Sequence, residues 1–219
     1  MKFFSRRVED PQWYKKAVGG MWQEIGELQF NFLLSQGLKP TDYFLDIGCG
    51  SLRGGIHFIK YLRQKHYFGT DIDEELLKVG KGEIRLNHLN SKNPTHIHDG
   101  DFELTKLGRK FHYVVAISVF THLPLNDIIK CILNVEKVLY KNGRFYATFF
   151  ENGRGKFNLK PLFHHREDGS DIKTFFNKDP FHYDRQTFRW ICKGTTIKVK
   201  YLGDWKHPRS QKMLMFTKA

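Results

Sequence analysis

The amino-acid sequence predicts an α/β domain: a mostly parallel sheet of about seven strands, helices on both faces, and an antiparallel hairpin at the C-terminus. Three observations predict it. Short apolar runs of strand length alternate with segments whose apolar residues recur at helical spacing, as crossover-linked parallel strands require. The first strand-like run, Tyr43 to Ile47, breaks at once into Gly48-Cys49-Gly50, a sharp turn before a helix. Near the C-terminus, Ile197, Val199 and Tyr201 alternate, Gly203-Asp204 offers a turn, and Met213 to Phe216 returns.

Residues 11–36 read as a helical lead-in, with Met21, Ile25, Leu28 and Phe32 at helical spacing and Trp22 and Leu33 widening the stripe. Gly37 ends it and Pro40 follows as a stop. After the glycine turn, Gly55 to Arg63 is helix-like, His66 to Thr70 is a second strand ending at Asp71, and Asp73 can cap the next helix. Pro94 to His98 is a third strand, followed by Asp99 and Asp101. Phe111 to Phe120 is the clearest buried strand. Pro124 and Asn126 open a helix carrying Ile128, Ile132, Val135 and Leu139, and Asn142-Gly143 turns the chain into a fifth strand, Arg144 to Phe150. The rhythm then changes. Residues 151–190 are rich in Phe, His, Gly and Asp without a clean period, and a stretch of that length is functional or holds short elements of its own.

At 219 residues the chain is expected to be one domain, divided into a lead-in and cap (1–40), a ligand-binding core (41–150), an insertion forming a lid (151–190) and the terminal hairpin (191–219). Hydrophobic residues at 40% and charged residues at 27% exclude disorder as the main state. No apolar run reaches membrane-spanning length, and the start, MKFFSRRVEDP, has no signal-peptide core. Cys49, Cys131 and Cys192 form neither a disulfide framework nor a zinc pattern, so the expected location is a reducing cytoplasm. The 36 basic against 23 acidic residues leave a charge of +13, which attracts anions, whether nucleic acid, phosphorylated metabolite or acidic glycan. The charges are scattered, with no block of five or more of like sign. Oligomeric state is left open.

Gly48 and Gly50 sit where a buried strand turns into a helix, and both allow positive φ and close approach of a ligand to the backbone. The dehydrogenase fingerprint wants a third glycine at position 53, which is Arg53, so a pyrophosphate fits poorly. Acids follow the strands in series: Asp46, Asp71 and Asp101. A carboxylate after the second strand can accept from ribose hydroxyls, and one after the third from an adenine amine. Asp46 can order the glycine turn and help hold an ammonium group.

The order D-I-G-C-G, G-T-D-I-D, D-G-D-F, A-I-S-V-F-T-H-L-P and the strand after K-N-G resembles a class I S-adenosylmethionine-dependent methyltransferase, with a Rossmann-like fold, over roughly residues 43–150. The whole chain, including V-G-G-M-W-Q-E-I-G and G-D-W-K-H-P-R-S-Q, is similar to compact bacterial enzymes of this class acting on small molecules or glycans. The resemblance implies S-adenosylmethionine as cofactor and S-adenosylhomocysteine as product. It implies that Gly48, Cys49 and Gly50 run under the methionine and ribose portion. Asp71, with Ile72 beside it, falls in the ribose-binding segment, Asp101 with Phe102 at the adenine contact, and Ser118 and Val119 along the methionine part. Asp99 competes with Asp101. Leu52 stands where many members have a glycine, and His112 where an Asp is common.

Methyl transfer is an in-line displacement, so alignment supplies much of the barrier reduction and neither metal nor covalent residue is required. An alcohol acceptor needs a base; an amine needs only to arrive neutral. The segment Ser118 to Pro124 carries no N-P-P-Y or D-P-P-Y and no Cys nucleophile, which argues against amino-methylation of adenine or glutamine and against cytosine C5 methylation. His122, just past the fourth strand, is the first base candidate or a brace for the next helix, and His182 in the insertion is the second. His164, His182, Asp184 and His207 match no standard ligand set, so no metal is expected. Phe157, Phe163, Phe175, Phe176, Phe181 and Tyr183 read as lid core. Lys206 and Arg209 are candidates for an anionic acceptor or solvated turn charges. Trp22 either closes over the cofactor or packs on the sheet. The predicted function is methyl transfer to an oxygen or nitrogen of a small molecule or glycan, with an anionic acceptor among the options. The alternatives are an RNA methyltransferase, with nucleic acid a possible but not favoured partner, and a cofactor-binding protein without turnover.

Overall fold

The computed structural model describes residues 10–153, 158–165 and 169–219. In chain order it contains α1 (Trp13–Ala17), α2 (Trp22–Ser35), β1 (Phe44–Ile47), α3 (Gly55–Tyr61), β2 (Tyr67–Asp71), α4 (Glu74–Leu86), β3 (Thr95–His98), β4 (Phe111–Ala116), α5 (Leu125–Val138) and β5 (Leu139–Glu151). There follow β6 (Leu162–His165), β7 (Asp171–Thr174), β8 (His182–Tyr183), α6 (Arg185–Cys192), β9 (Ile197–Asp204) and β10 (Lys212–Lys218). The main sheet runs β3-β2-β1-β4-β5-β10-β9 with β8 beside β5, while β6 and β7 form a separate ribbon. Pairings β1–β4, β2–β3, β4–β5 and β5–β8 are parallel; β5–β10 and β9–β10 are antiparallel. β1 and β2 are buried along their whole length, as strands of a parallel sheet covered on both faces must be. No helix among the described residues is long and apolar enough to cross a membrane.

The chain divides into two compact units. One comprises residues 10–41 and Cys49–His98. Here Asp73 caps α4, its Oδ1 accepting the amides of Glu75 at 2.8 Å and Leu76 at 3.1 Å. The lead-in is not the single helix the periodicity predicts. It breaks between α1 and α2, where Gly19, Gly20 and Met21 take φ of 93°, 70° and 48°. Two adjacent glycines make that left-handed path cheap. The buried Arg53 guanidinium then fixes it, donating to the carbonyls of Val18 at 2.8 Å and Gly20 at 3.1 Å. Trp22 packs edge-on to Tyr14, and the Tyr14 hydroxyl donates to Glu83 at 2.5 Å.

The other unit comprises Asp42–Gly48 and Asp99–Ala219. Its core is aromatic: Phe188 of α6 lies 4.8 Å from Phe149, 6.0 Å from Phe120 and 6.4 Å from Phe216, ring centre to ring centre. The helix α6 crosses the boundary expected at residue 190 and, with β8 paired to β5, packs into this core. The expected lid stretch therefore contributes its β6–β7 ribbon as a separate piece; Phe157 lies outside the described residues. Strand β4 stops at Ala116, short of the predicted Phe120, because Ser118 turns to φ 60°. Gly203 does not make the hairpin turn. Its φ of 80° lies inside β9, opposite a register shift at Met213/Leu214, and the connection is 205–211.

Candidate active site

In the first unit, the turn after β1 is held against the end of β2. The Cys49 amide donates to the Thr70 carbonyl at 3.0 Å, and the Gly50 amide donates to Asp71 Oδ2 at 2.7 Å. Asp71 Oδ1 accepts the Asp73 amide at 2.8 Å. Burial pushes the Asp71 carboxyl above the usual aspartate range, opposed by the amides of Asp73, Gly50 and Ile72. Gly50 has φ +54°, and a Cβ there would lie 2.9 Å from Val18, so only glycine allows the lead-in to close on the turn. Ile72 stands beside Asp71 with 71% of its surface exposed, although it is a large apolar side chain. Ser51 Oγ is buried with no hydrogen-bond partner among the described residues.

In the second unit, Asp46 is buried on β1, and a Cβ on Gly48 would come within 2.5 Å of Val119. The structure thus brings Gly48 and Val119 together. Ser118 is fixed by its amide, which donates to Thr148 Oγ1 at 2.7 Å. The hydroxyls of Ser118 and Thr148 both donate to Gln211 Oε1, at 3.1 and 2.6 Å. Asp101 is exposed and paired with Lys130 at 2.6 Å, while Phe102 is buried at φ 57°. The Lys130 ammonium holds the Asp101 carboxyl below its usual range. Asp99 turns inward on its own loop, accepting the amides of Asp101 and Glu103.

The two histidine candidates have different surroundings. His122 Nδ1 meets Asp179 Oδ1 at 2.6 Å, a pair of exposed side chains. The backbone around it is clamped: His122 N–H donates to Val119 O at 2.9 Å, Phe181 N–H to Thr121 O at 2.7 Å, and the Tyr183 hydroxyl to Leu123 O at 2.6 Å. His182 is only 2% exposed. Its Nδ1 lies 2.9 Å from Thr174 Oγ1 and its Nε2 3.2 Å from Asn158 O, while Thr174 Oγ1 also meets His164 Nε2 at 3.0 Å. Donors and acceptors alternate along this chain when His164 donates to Thr174, Thr174 to His182, and His182 to the carbonyl. Both nitrogens of His182 are then committed, and it braces the insertion instead of meeting an acceptor. Among the described residues no group of three or more His, Cys, Asp or Glu could hold a metal ion.

Asp179, Thr148 and Gln211 were not singled out from the sequence. Asp179 stands 57 residues from its partner, and no local pattern pairs residues across such a distance. Gln211 looks like an ordinary turn residue until β10 brings it to Thr148.

A family model for a methyltransferase domain matches residues 45–145. An uncharacterized protein of Methanocaldococcus jannaschii is 28% identical over 127 residues, which is 52% of this chain and 34% of that protein. This chain's match thus spans about a third of that relative's length. A S-adenosylmethionine-dependent methyltransferase from Clostridium acetobutylicum has a similar fold, with TM-score 0.67, 12% identity, and coverage of 95% of this chain and 97% of that one. The magnesium protoporphyrin IX methyltransferase of Synechocystis, solved with S-adenosylmethionine bound, gives TM-score 0.63, 14% identity, and coverage of 90% and 81%. At such identities these likenesses speak for the fold. Residues 45–145 are thus similar to a methyltransferase domain, and the fold is that of S-adenosylmethionine-dependent methyltransferases.

Proposed function

We propose that the protein moves the methyl group of S-adenosylmethionine to an oxygen or nitrogen of a small molecule or glycan that carries negative charge. The residues suit this donor. Asp71 accepts two amides at 2.7 and 2.8 Å, and a carboxylate offers about four lone-pair sites, so it keeps capacity for ribose hydroxyls. The exposed Ile72 beside it offers an apolar surface for adenine, and the orphan Ser51 hydroxyl suits a polar group of the ligand. Asp46, Gly48, Cys49 and Gly50 would serve the methionine and ribose portion, Ser118 and Val119 the methionine part, and Asp101 with Phe102 the adenine end. Bound there, the sulfonium supplies an electrophilic methyl group. The protein's share is orientation and exclusion of water, with His122 as base where the acceptor must lose a proton.

The observation that carries the acceptor class is the outward face of the β6–β7 ribbon. Phe163 pairs across the ribbon with Lys173, and Phe163 is 60% exposed. Lys173 Nζ lies 5.7 Å from the ring centres of both Phe163 and Phe175, and Lys178 Nζ lies 4.3 Å above Phe175. Ammonium groups over these rings favour a compact anion with an apolar body, whereas stacked nucleobases need uncovered ring faces. Asp171, on the same strand as Lys173 and two residues before it, would repel a polyphosphate track. The test is transfer of isotope-labelled methyl from S-adenosylmethionine into cell extract fractionated by anion exchange. Label is expected in an anionic, ribonuclease-resistant fraction, and Lys173→Ala with Lys178→Ala should reduce it while leaving cofactor affinity intact. Label confined to RNA would overturn the acceptor class.

A further inference from the structure

Resting on that reading, we propose that Asp179 is the positioning residue of the His122 base, and that the group methylated is therefore a hydroxyl. The pair is formed across 57 residues at 2.6 Å, between the turn after β4 and the segment before β8. A carboxylate only accepts, so the contact puts the ring proton on Nδ1 and leaves the lone pair on Nε2. The contact does little for the fold. The side chains are 58% and 57% exposed, and polar contacts in such exposed places contribute little to stability. The segments are already joined by the amide of Phe181 on Thr121 O and the hydroxyl of Tyr183 on Leu123 O. What the carboxylate decides is which nitrogen of an imidazole on a clamped backbone can take a proton, the role of the acid in a Ser-His-Asp triad.

An oriented base serves an acceptor that must lose a proton as it attacks. A carboxylate arrives with its lone pair ready, and so does a neutral amine. A neutral hydroxyl has lone pairs too, but it is a weak nucleophile until its proton is being removed. In the step, a lone pair of the hydroxyl oxygen forms the new bond to the methyl carbon, and the carbon–sulfur bond breaks with its electrons going to sulfur. The hydroxyl proton passes to His122 Nε2. The sulfonium charge is thereby replaced by an imidazolium facing the Asp179 carboxylate, and the exposed ring returns its proton to solvent.

The decisive measurement is the tautomer of His122, read from long-range proton–nitrogen correlations of the 15N-labelled protein at mildly alkaline pH. The wild-type ring should carry its proton on Nδ1, and Asp179→Asn should move it to Nε2, because the amide then donates to Nδ1. A wild-type ring protonated on Nε2, or one unchanged in the variant, overturns the positioning role without any assay of turnover. With the fraction that accepts label, Asp179→Asn should lose about 10²-fold or more in single-turnover rate at unchanged cofactor affinity, and the product should be a methyl ether. An N-methyl product or a base-labile ester overturns the hydroxyl assignment. If His122→Ala slows transfer and Asp179→Asn does not, the positioning role falls alone. If neither slows it, the base reading of His122 falls as well.

Discussion

Asp71 carries its charge in a buried place, and the cost shows as a carboxyl raised above the usual aspartate range by burial. Because its folded pKa is raised, this group takes up a proton earlier than an ordinary aspartate as pH falls. That protonation relieves a buried charge, so it removes no stability from the fold. On the proposed role of Asp71, it does remove charge-assisted bonds to a ribose. Affinity for S-adenosylhomocysteine is therefore expected to decline on acidification before the melting temperature does, followed by calorimetry across a pH series. Asp71→Ala should weaken binding by about 1–3 kcal/mol at neutral pH, and an unchanged affinity would remove Asp71 from the site. Gln211 acts on the other unit's backbone. Its Oε1 is the acceptor for two hydroxyls, so Gln211→Ala leaves Ser118 and Thr148 with unmatched donors. Chemical denaturation should show a loss of about 1–3 kcal/mol; a neutral substitution would mean that water replaces the amide.

At the level of elements, the sequence was most readable where one local cause acts. The Asp73 cap, the strands at Tyr43 to Ile47 and His66 to Thr70, and the helix opened by Pro124 all follow from short-range pattern and are present. The break before α2 was hidden because Met21 and Trp22 continue the apolar stripe, while the cause, Arg53, comes from more than thirty residues away. The hairpin turn was misplaced because a glycine signals positive φ without saying whether a turn or a bulge uses it. The insertion has no period because its ribbon is held by a polar chain through His164, Thr174 and His182. Burial first, and then the neighbouring His182, Lys212 and His165, hold His164 down to about 4. An unfolded histidine titrates near 6.5. Between those values the opened ribbon binds more protons than the closed one, so closure weakens as pH falls from about 6.5 towards 4. Amide exchange in β6 and β7, corrected for intrinsic rate, should accelerate over that window, and His164→Gln should flatten the dependence. A ribbon equally protected at both ends of the window would show that His164 is not coupled to its closure.

At the scale of the whole molecule, the alternation of parallel strands and helices was readable and the path of the insertion was not. The glycine turn and Asp71 follow β1 and β2 directly in the chain, whereas His122 meets Asp179 only through the path of the insertion. The charge of +13 was visible from composition but carried no address. Long-range attraction depends on all the charges together and is screened over about 10 Å at 0.1 M salt, whereas hydrogen bonds to a bound nucleoside are local. The two halves of the reaction should therefore respond differently to ionic strength. Affinity for S-adenosylhomocysteine is expected to stay nearly constant as salt rises from about 0.02 to 0.3 M, while kcat/KM for an anionic acceptor falls by about tenfold or more. Neutralising Lys173 and Lys178 should flatten that fall if the ribbon face receives the acceptor. An equal fall in the wild type and the double variant would place the steering charge elsewhere on the surface, and no fall at all would mean that the acceptor is not drawn in by its charge.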